Sequence, residues 1–219
     1  MTLRVSRQYV FVICFSLALV TLLAFEQVRK CEFTATDDMK FAAVNPHVQA
    51  GLNRESIAWA FTTTTTANWM PLTWLSVMLD SQIFGHSSAT FHLMNLFYHV
   101  LNVLLLFMVL KKMTGTLWRS AFVAAAFALH PLHVESIAWV AERKDVLSGL
   151  FWMLTMLVYV RYAQRPNIRR YSLVLFTLSL GLMAKPMLVT LPCVLLSVSY
   201  THLRAHETSL HLVCRLLLE

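Results

Sequence analysis

Charge is what this chain has least of. Lys, Arg, Asp and Glu make up 13% of its 219 residues, against 58% hydrophobic residues. So little polar cover excludes an ordinary soluble domain, whose surface must face water. Glycine and proline are also scarce, at five and six residues, so the apolar runs are seldom broken. The four cysteines (Cys14, Cys31, Cys193 and Cys214) form no close pair and no metal-ligand spacing. A net charge of +7 does not imply nucleic acid. The basic residues sit at Lys111–Lys112, Arg161–Arg165 and Arg169–Arg170, the ends of apolar runs, where positive charge sets membrane orientation.

What is present is a series of apolar segments: Tyr9–Phe25, His92–Leu110, Leu117–Leu132, Val146–Tyr162, Tyr171–Ala184 and Met187 to about Ser197. In hydrocarbon each segment must satisfy its own backbone, so an all-α transmembrane bundle is expected. The first four approach the roughly 20 residues that cross a bilayer. Tyr171–Leu196 reads either as one proline-kinked helix or as a hairpin turning at Lys185–Pro186. The hairpin is preferred, because a single helix would hold Lys185 deep in lipid. The first segment lacks a small-residue cleavage site and reads as a retained anchor. Basic residues at the start, at Lys111–Arg119 and at Arg161–Arg170 assign those loops to the cytoplasm. The outer face then receives 26–90, 133–145 and the Lys185–Pro186 bend. Within 26–90, Ile57–Phe61 and Trp69–Phe84 carry apolar residues at near-helical spacing and suit helices lying in the bilayer interface.

The polar residues of those outer segments are the candidates for chemistry. Asp37-Asp38 is a carboxylate pair after the first helix, suited to a base or a metal ligand. His130, His133 and Glu135 lie beside Glu142-Arg143-Lys144-Asp145, and ionisable groups at a membrane boundary are costly unless paired or used. Arg143, Lys144 and Lys185 suit a phosphate. The histidines lack an HExxH pattern, so no zinc site is assigned, and any divalent metal stays unspecified. His92, Asn95, His99 and Asn102 share one helix face, which reads as interhelical hydrogen bonding.

A set of motifs resembles the membrane half of bacterial tetratricopeptide-repeat proteins related to the transmembrane-and-TPR O-mannosyltransferases. It comprises Asp37-Asp38 with Asn45-Pro46, Asn68-Trp69-Met70-Pro71-Leu72-Thr73-Trp74-Leu75, Phe91-His92-Leu93 with Asn95, Leu129-His130-Pro131-Leu132-His133-Val134-Glu135-Ser136, Glu142-Arg143-Lys144-Asp145-Val146-Leu147 and Met183-Ala184-Lys185-Pro186. These spread over nearly all of residues 33–192. The resemblance implies a GT-C fold in a bacterial inner membrane, with its active site on the periplasmic face. It implies inverting transfer from a polyprenyl-phosphate sugar donor to a protein or glycan hydroxyl. Asp37 and Asp38 would be catalytic, with Arg143, Lys185, His130, His133 and Glu135 binding substrate or phosphate. The lipid bilayer, the donor and the acceptor are the partners implied. The alternative is a non-catalytic membrane anchor for a TPR interaction domain.

No 34-residue helical repeat is present. Composition also shifts abruptly at residue 198, and residues 198–219 resemble a translated sequencing adapter. Residues 1–197 are therefore read as the N-terminal part of a truncated, inactive GT-C-like domain, followed by a non-native tail.

Overall fold

Residues 7–34, 37–65, 68–197 and 199 are described by the computed structural model. The expected tail at 198–219 thus lies outside the described residues, Ser199 apart. Helix α1 (Arg7–Ala24) leads into a 3-10 turn at Glu26–Lys30 and a π-helical turn at Met39–Ala43. Short helices follow: α2 (Pro46–Gln49), α3 (Arg54–Thr62) and α4 (Pro71–Phe84). The remaining helices are α5 (Ser88–Thr114), α6 (Leu117–Ala128), α7 (His133–Ala138), α8 (Arg143–Gln164) and α9 (Ile168–Ala184), the last followed by a turn at Pro186–Thr190. No strand occurs among the described residues.

Helix α5 is the central post, packed against α1, α6 and α8, with α9 behind α8. At 27 residues it outruns the apolar segment read from sequence. It continues to a left-handed cap at Gly115, φ +69°, whose N–H donates to the Lys111 carbonyl at 3.0 Å; that conformation favours a residue without a Cβ. Among the described residues three helices are long and apolar enough to cross a membrane: Arg7–Ala24, Ser88–Thr114 and Val140–Gln164.

Helix α6 differs from expectation. It has 12 residues, roughly 18 Å of rise against a hydrocarbon core of about 30 Å. Pro131 explains the early stop, because the residue before a proline is driven out of helical geometry. At the other uncertain place the chain reverses. Lys185 is extended (φ −154°, ψ 131°), and Leu191 and Leu195 then pack with Val109 and Met156. Lys185 bonds Asp145 at the start of α8, and Ser199 bonds Tyr159 near its end. The last segment therefore runs parallel to α8, which is the hairpin.

A second apolar core lies outside the bundle. Phe41, Val48, Ala60, Met70, Trp74, Val77 and Met78 pack against Phe91, Val140 and Ala141. It folds the 39–84 segment onto the end of α5 and the turn before α8. Asn45 caps α2 through His47 N–H (3.0 Å), and Asn53 caps α3 through Ser56 N–H (2.7 Å), which sets where each short helix starts. Burying Trp74, Val77 and Met78 leaves Leu79, Ile83 and Phe84 of α4 exposed, with Ile57 and Phe61 of α3. These are the apolar faces expected of interfacial helices.

Candidate functional site

Adjacent carboxylates part company in the structure. Asp38 is fully buried. Its Oδ1 accepts from the Ala141 N–H at 2.9 Å, and its Oδ2 from the Thr34 N–H at 3.1 Å and hydroxyl at 2.5 Å. It pins the first outer segment to the turn before α8, across a sequence separation of 103 residues. Asp37 is exposed and lies on the wall of a cavity of about 390 Å³, lined also by Lys40, Phe41, Asn45, Trp59, Thr65, Met70, Trp74, Ala141 and Lys144. Consecutive residues of one helical turn point to different sides, so one carboxylate braces the site and the other faces it.

The aromatic wall is itself ordered by packing. Trp59 meets Trp74 edge-on at 5.0 Å between ring centroids, and Phe41 and His47 back them at 4.5 Å each. Such contacts hold flat apolar faces at fixed angles. Lys144 reaches Glu142 at 2.9 Å on the same side.

Arg143 is not where the sequence pattern put it. It is fully buried, and its Nη1 donates to Asp80 Oδ2 at 2.5 Å. Its Nε donates to Asn95 Oδ1 and its Nη2 to the Phe91 carbonyl at 3.1 Å, while Tyr98 lies beneath the guanidinium at 5.2 Å. With each of its nitrogens bonded internally, and fully buried, it lines neither cavity, so its placement is that of a structural clamp and not of a phosphate ligand. Asn95 completes the clamp by donating to the Trp139 carbonyl at 3.1 Å. Burial pushes the Asp80 carboxyl above its ordinary range, and the Arg143 charge opposes this. Asp80 escaped the sequence reading, because an acid inside an apolar helical run looks like a solvated position until its partner is known.

Lys185 and His133 belong to a different cavity, a cleft of about 300 Å³ between α5, α6, α8 and the 185–188 bend. Phe127, Trp152, Met153 and Leu188 form its apolar walls, with His99, Asn102, Ser136 and Asp145 as its polar lining. Lys185 Nζ is bonded to Asp145 Oδ1 there. His130 stands at the edge, its ring 6.0 Å from His133. Burial and the neighbouring His130 charge lower the His133 pKa. Glu135 is exposed and lines neither cavity. Among the described residues no three His, Cys, Asp or Glu side chains converge to hold a metal ion.

Asn95, His99 and Asn102 of the polar stripe of α5 are spent on packing. His99 Nε2 lies 3.2 Å from the Ala128 carbonyl, and Asn102 donates to the Val146 carbonyl at 2.8 Å.

Fold and site together define an all-helical membrane protein with a polar, aromatic-walled cavity at one end of its bundle. Comparison with known proteins narrows this. The chain belongs to the dolichyl-phosphate-mannose-protein mannosyltransferase family, whose pattern matches residues 58–217. It is 33% identical over 96 residues to protein O-mannosyl-transferase Tmtc2 of Drosophila melanogaster, covering 43% of this chain and 10% of that protein. It is 31% identical over 137 residues to protein O-mannosyl-transferase TMTC1 of Mus musculus, covering 57% of this chain and 14% of that one. The chain therefore spans a small part of the length of these relatives. No solved structure matches it.

Proposed function

We propose that this chain carries the acid-bearing part of a membrane mannosyltransferase that moves a sugar from a polyprenyl-phosphate donor to a hydroxyl of a protein or glycan. Asp37 is the base. It takes the acceptor hydroxyl's proton as that oxygen attacks the anomeric carbon from the side opposite the phosphate. The bond from the anomeric carbon to the phosphate oxygen breaks, and the polyprenyl phosphate leaves with the electron pair, inverting the centre. A phosphate leaving group is already anionic, so it needs cationic support more than a proton. Asp38 acts through Asp37 as a positioning residue, since its carboxylate holds the strand of chain that presents the base.

What carries the reading is Asp37: an exposed carboxylate on an aromatic-walled cavity, braced by a buried neighbour, in a chain of this family. The site faces the non-cytoplasmic side, which is the periplasm in a bacterial inner membrane. The charge of the opposite loops supports this.

A full-length relative bearing the equivalent of Asp37→Asn is expected to lose donor-dependent transfer by at least about 100-fold, the lower range for removal of a general base. Unchanged transfer would remove the catalytic role. Single cysteines at Asp37, Glu135 and Arg165 address the membrane side. Labelling of the first two from one side and the third from the other is expected.

A further inference from the structure

Of the three cations that suit a phosphate by sequence, two are engaged elsewhere: Arg143 with Asp80, and Lys185 with Asp145 in the other cleft. The Asp37 cavity has two of its own. Lys40 is exposed, three residues after Asp37 on the same helical turn, and forms no ion pair among the described residues. Lys144 enters the same wall from the start of α8, where Glu142 holds it at 2.9 Å. Behind them Trp74, 1% exposed, backs the half-buried Trp59. A wall with two ammonium groups, a single carboxylate and an aromatic face suits an anion joined to a hydroxylated ring.

We propose that Lys40 and Lys144 form the anion subsite of the Asp37 cavity and take the phosphate of a lipid-linked sugar, while the half-buried Trp59, backed by Trp74, takes the sugar ring. The assignment rests on the transfer reading above, adds Lys40, which the sequence pattern does not name, and keeps Lys144 from the three cations that suit a phosphate by sequence. An ammonium is a compact point charge that tolerates the movement of a departing phosphate, unlike a fixed guanidinium fork. The apolar ring face of a tryptophan suits the C–H face of a pyranose.

The test is binding of radiolabelled farnesyl phosphate, with and without a mannosyl group, to the full chain in phosphatidylcholine nanodiscs. Lys40→Gln and Lys144→Gln should each weaken both probes about tenfold, the scale of one lost charge-assisted hydrogen bond. Lys30→Gln, outside both cavities, should change binding less than twofold. Trp59→Ala should weaken the mannosylated probe and spare the plain one. Inorganic phosphate should compete poorly, because it lacks the lipid. Loss of binding on Lys185→Gln with Lys40→Gln unaffected would overturn the assignment by moving the anion to the other cleft. Competition by inorganic phosphate equal to that of farnesyl phosphate would overturn the lipid-linked source. If Lys40→Gln weakens binding while Asp37→Asn leaves transfer intact, the subsite stands and the catalytic reading fails. The reverse pattern fails the subsite alone.

Discussion

Two cavities lie at the same end of this molecule, and their difference is instructive. The one holding Asp37 is assembled mostly from the segment between α1 and α5 and is walled by aromatic rings. The one holding Lys185 is a gap between membrane helices, roofed by a bend and closed by an ion pair. They adjoin at consecutive residues, with Lys144 in the first and Asp145 in the second. Sharing an end of a bundle is thus a weaker relation than sharing a cavity. A helix turns about 100° per residue, so neighbours in sequence are dealt to different sites.

The contrast can be broken most violently at its shared support. Asp80→Ala leaves the Arg143 guanidinium buried and unpaired, a loss of about 3–5 kcal/mol. Thermal unfolding in nanodiscs should drop sharply, and the double variant with Arg143→Leu should recover part of it. Full wild-type stability in Asp80→Ala would show that the clamp does not hold the two cavities together.

Asp38→Ala comes next. It orphans the buried Ala141 N–H and frees Thr34, at about 1–3 kcal/mol for an unsatisfied buried group. Asp37→Asn, one residue away and exposed, should shift stability by less than about 0.5 kcal/mol while removing transfer in a full-length relative. Equal thermal shifts for the two would erase the distinction between brace and base.

Lys185→Gln should be milder, about 0–1 kcal/mol, because its pair with Asp145 is partly open to water. The smallest effect concerns pH. His133 has its folded pKa lowered by burial and by His130, with His99 also in contact. A histidine with a lowered folded pKa binds protons more readily when unfolded. It therefore costs no stability above its ordinary pKa of about 6.5 and progressively more as pH falls below that, until the folded value is passed. His133→Gln should flatten the fall in melting temperature between pH 7.5 and 5.5, and an unaltered slope would assign that fall to other groups.

Much of the architecture was legible without coordinates. Run length and hydropathy located α1, α5, α8 and α9, and the cost of burying Lys185 in lipid pointed to the reversal at Pro186. The interfacial character of α3 and α4 followed from their spaced tryptophans and leucines. The early end of α6 was legible in principle, since His130-Pro131 is printed in the chain, but the apolar count extended past it. In the candidate site, adjacency in sequence makes Asp37 and Asp38 an equal pair. Nothing in that dipeptide says which of them would find the Ala141 N–H. Arg143 looked like an ideal phosphate fork for the same reason it makes a good clamp: a planar charge with several donors serves an internal carboxylate as well as an external one.

By itself, then, the sequence determined that this is a chain of lipid-crossing helices, where they turn, and which end gathers the polar groups. Those outcomes follow from local hydrophobicity and backbone satisfaction, which each segment settles alone. Only the tertiary structure decided which acid is buried, which cations are already paired and which side chains share a cavity. Those depend on contacts between residues tens of positions apart, such as Asp38 with Ala141 and Asp80 with Arg143, and a contact of that kind exists only once the helices have packed.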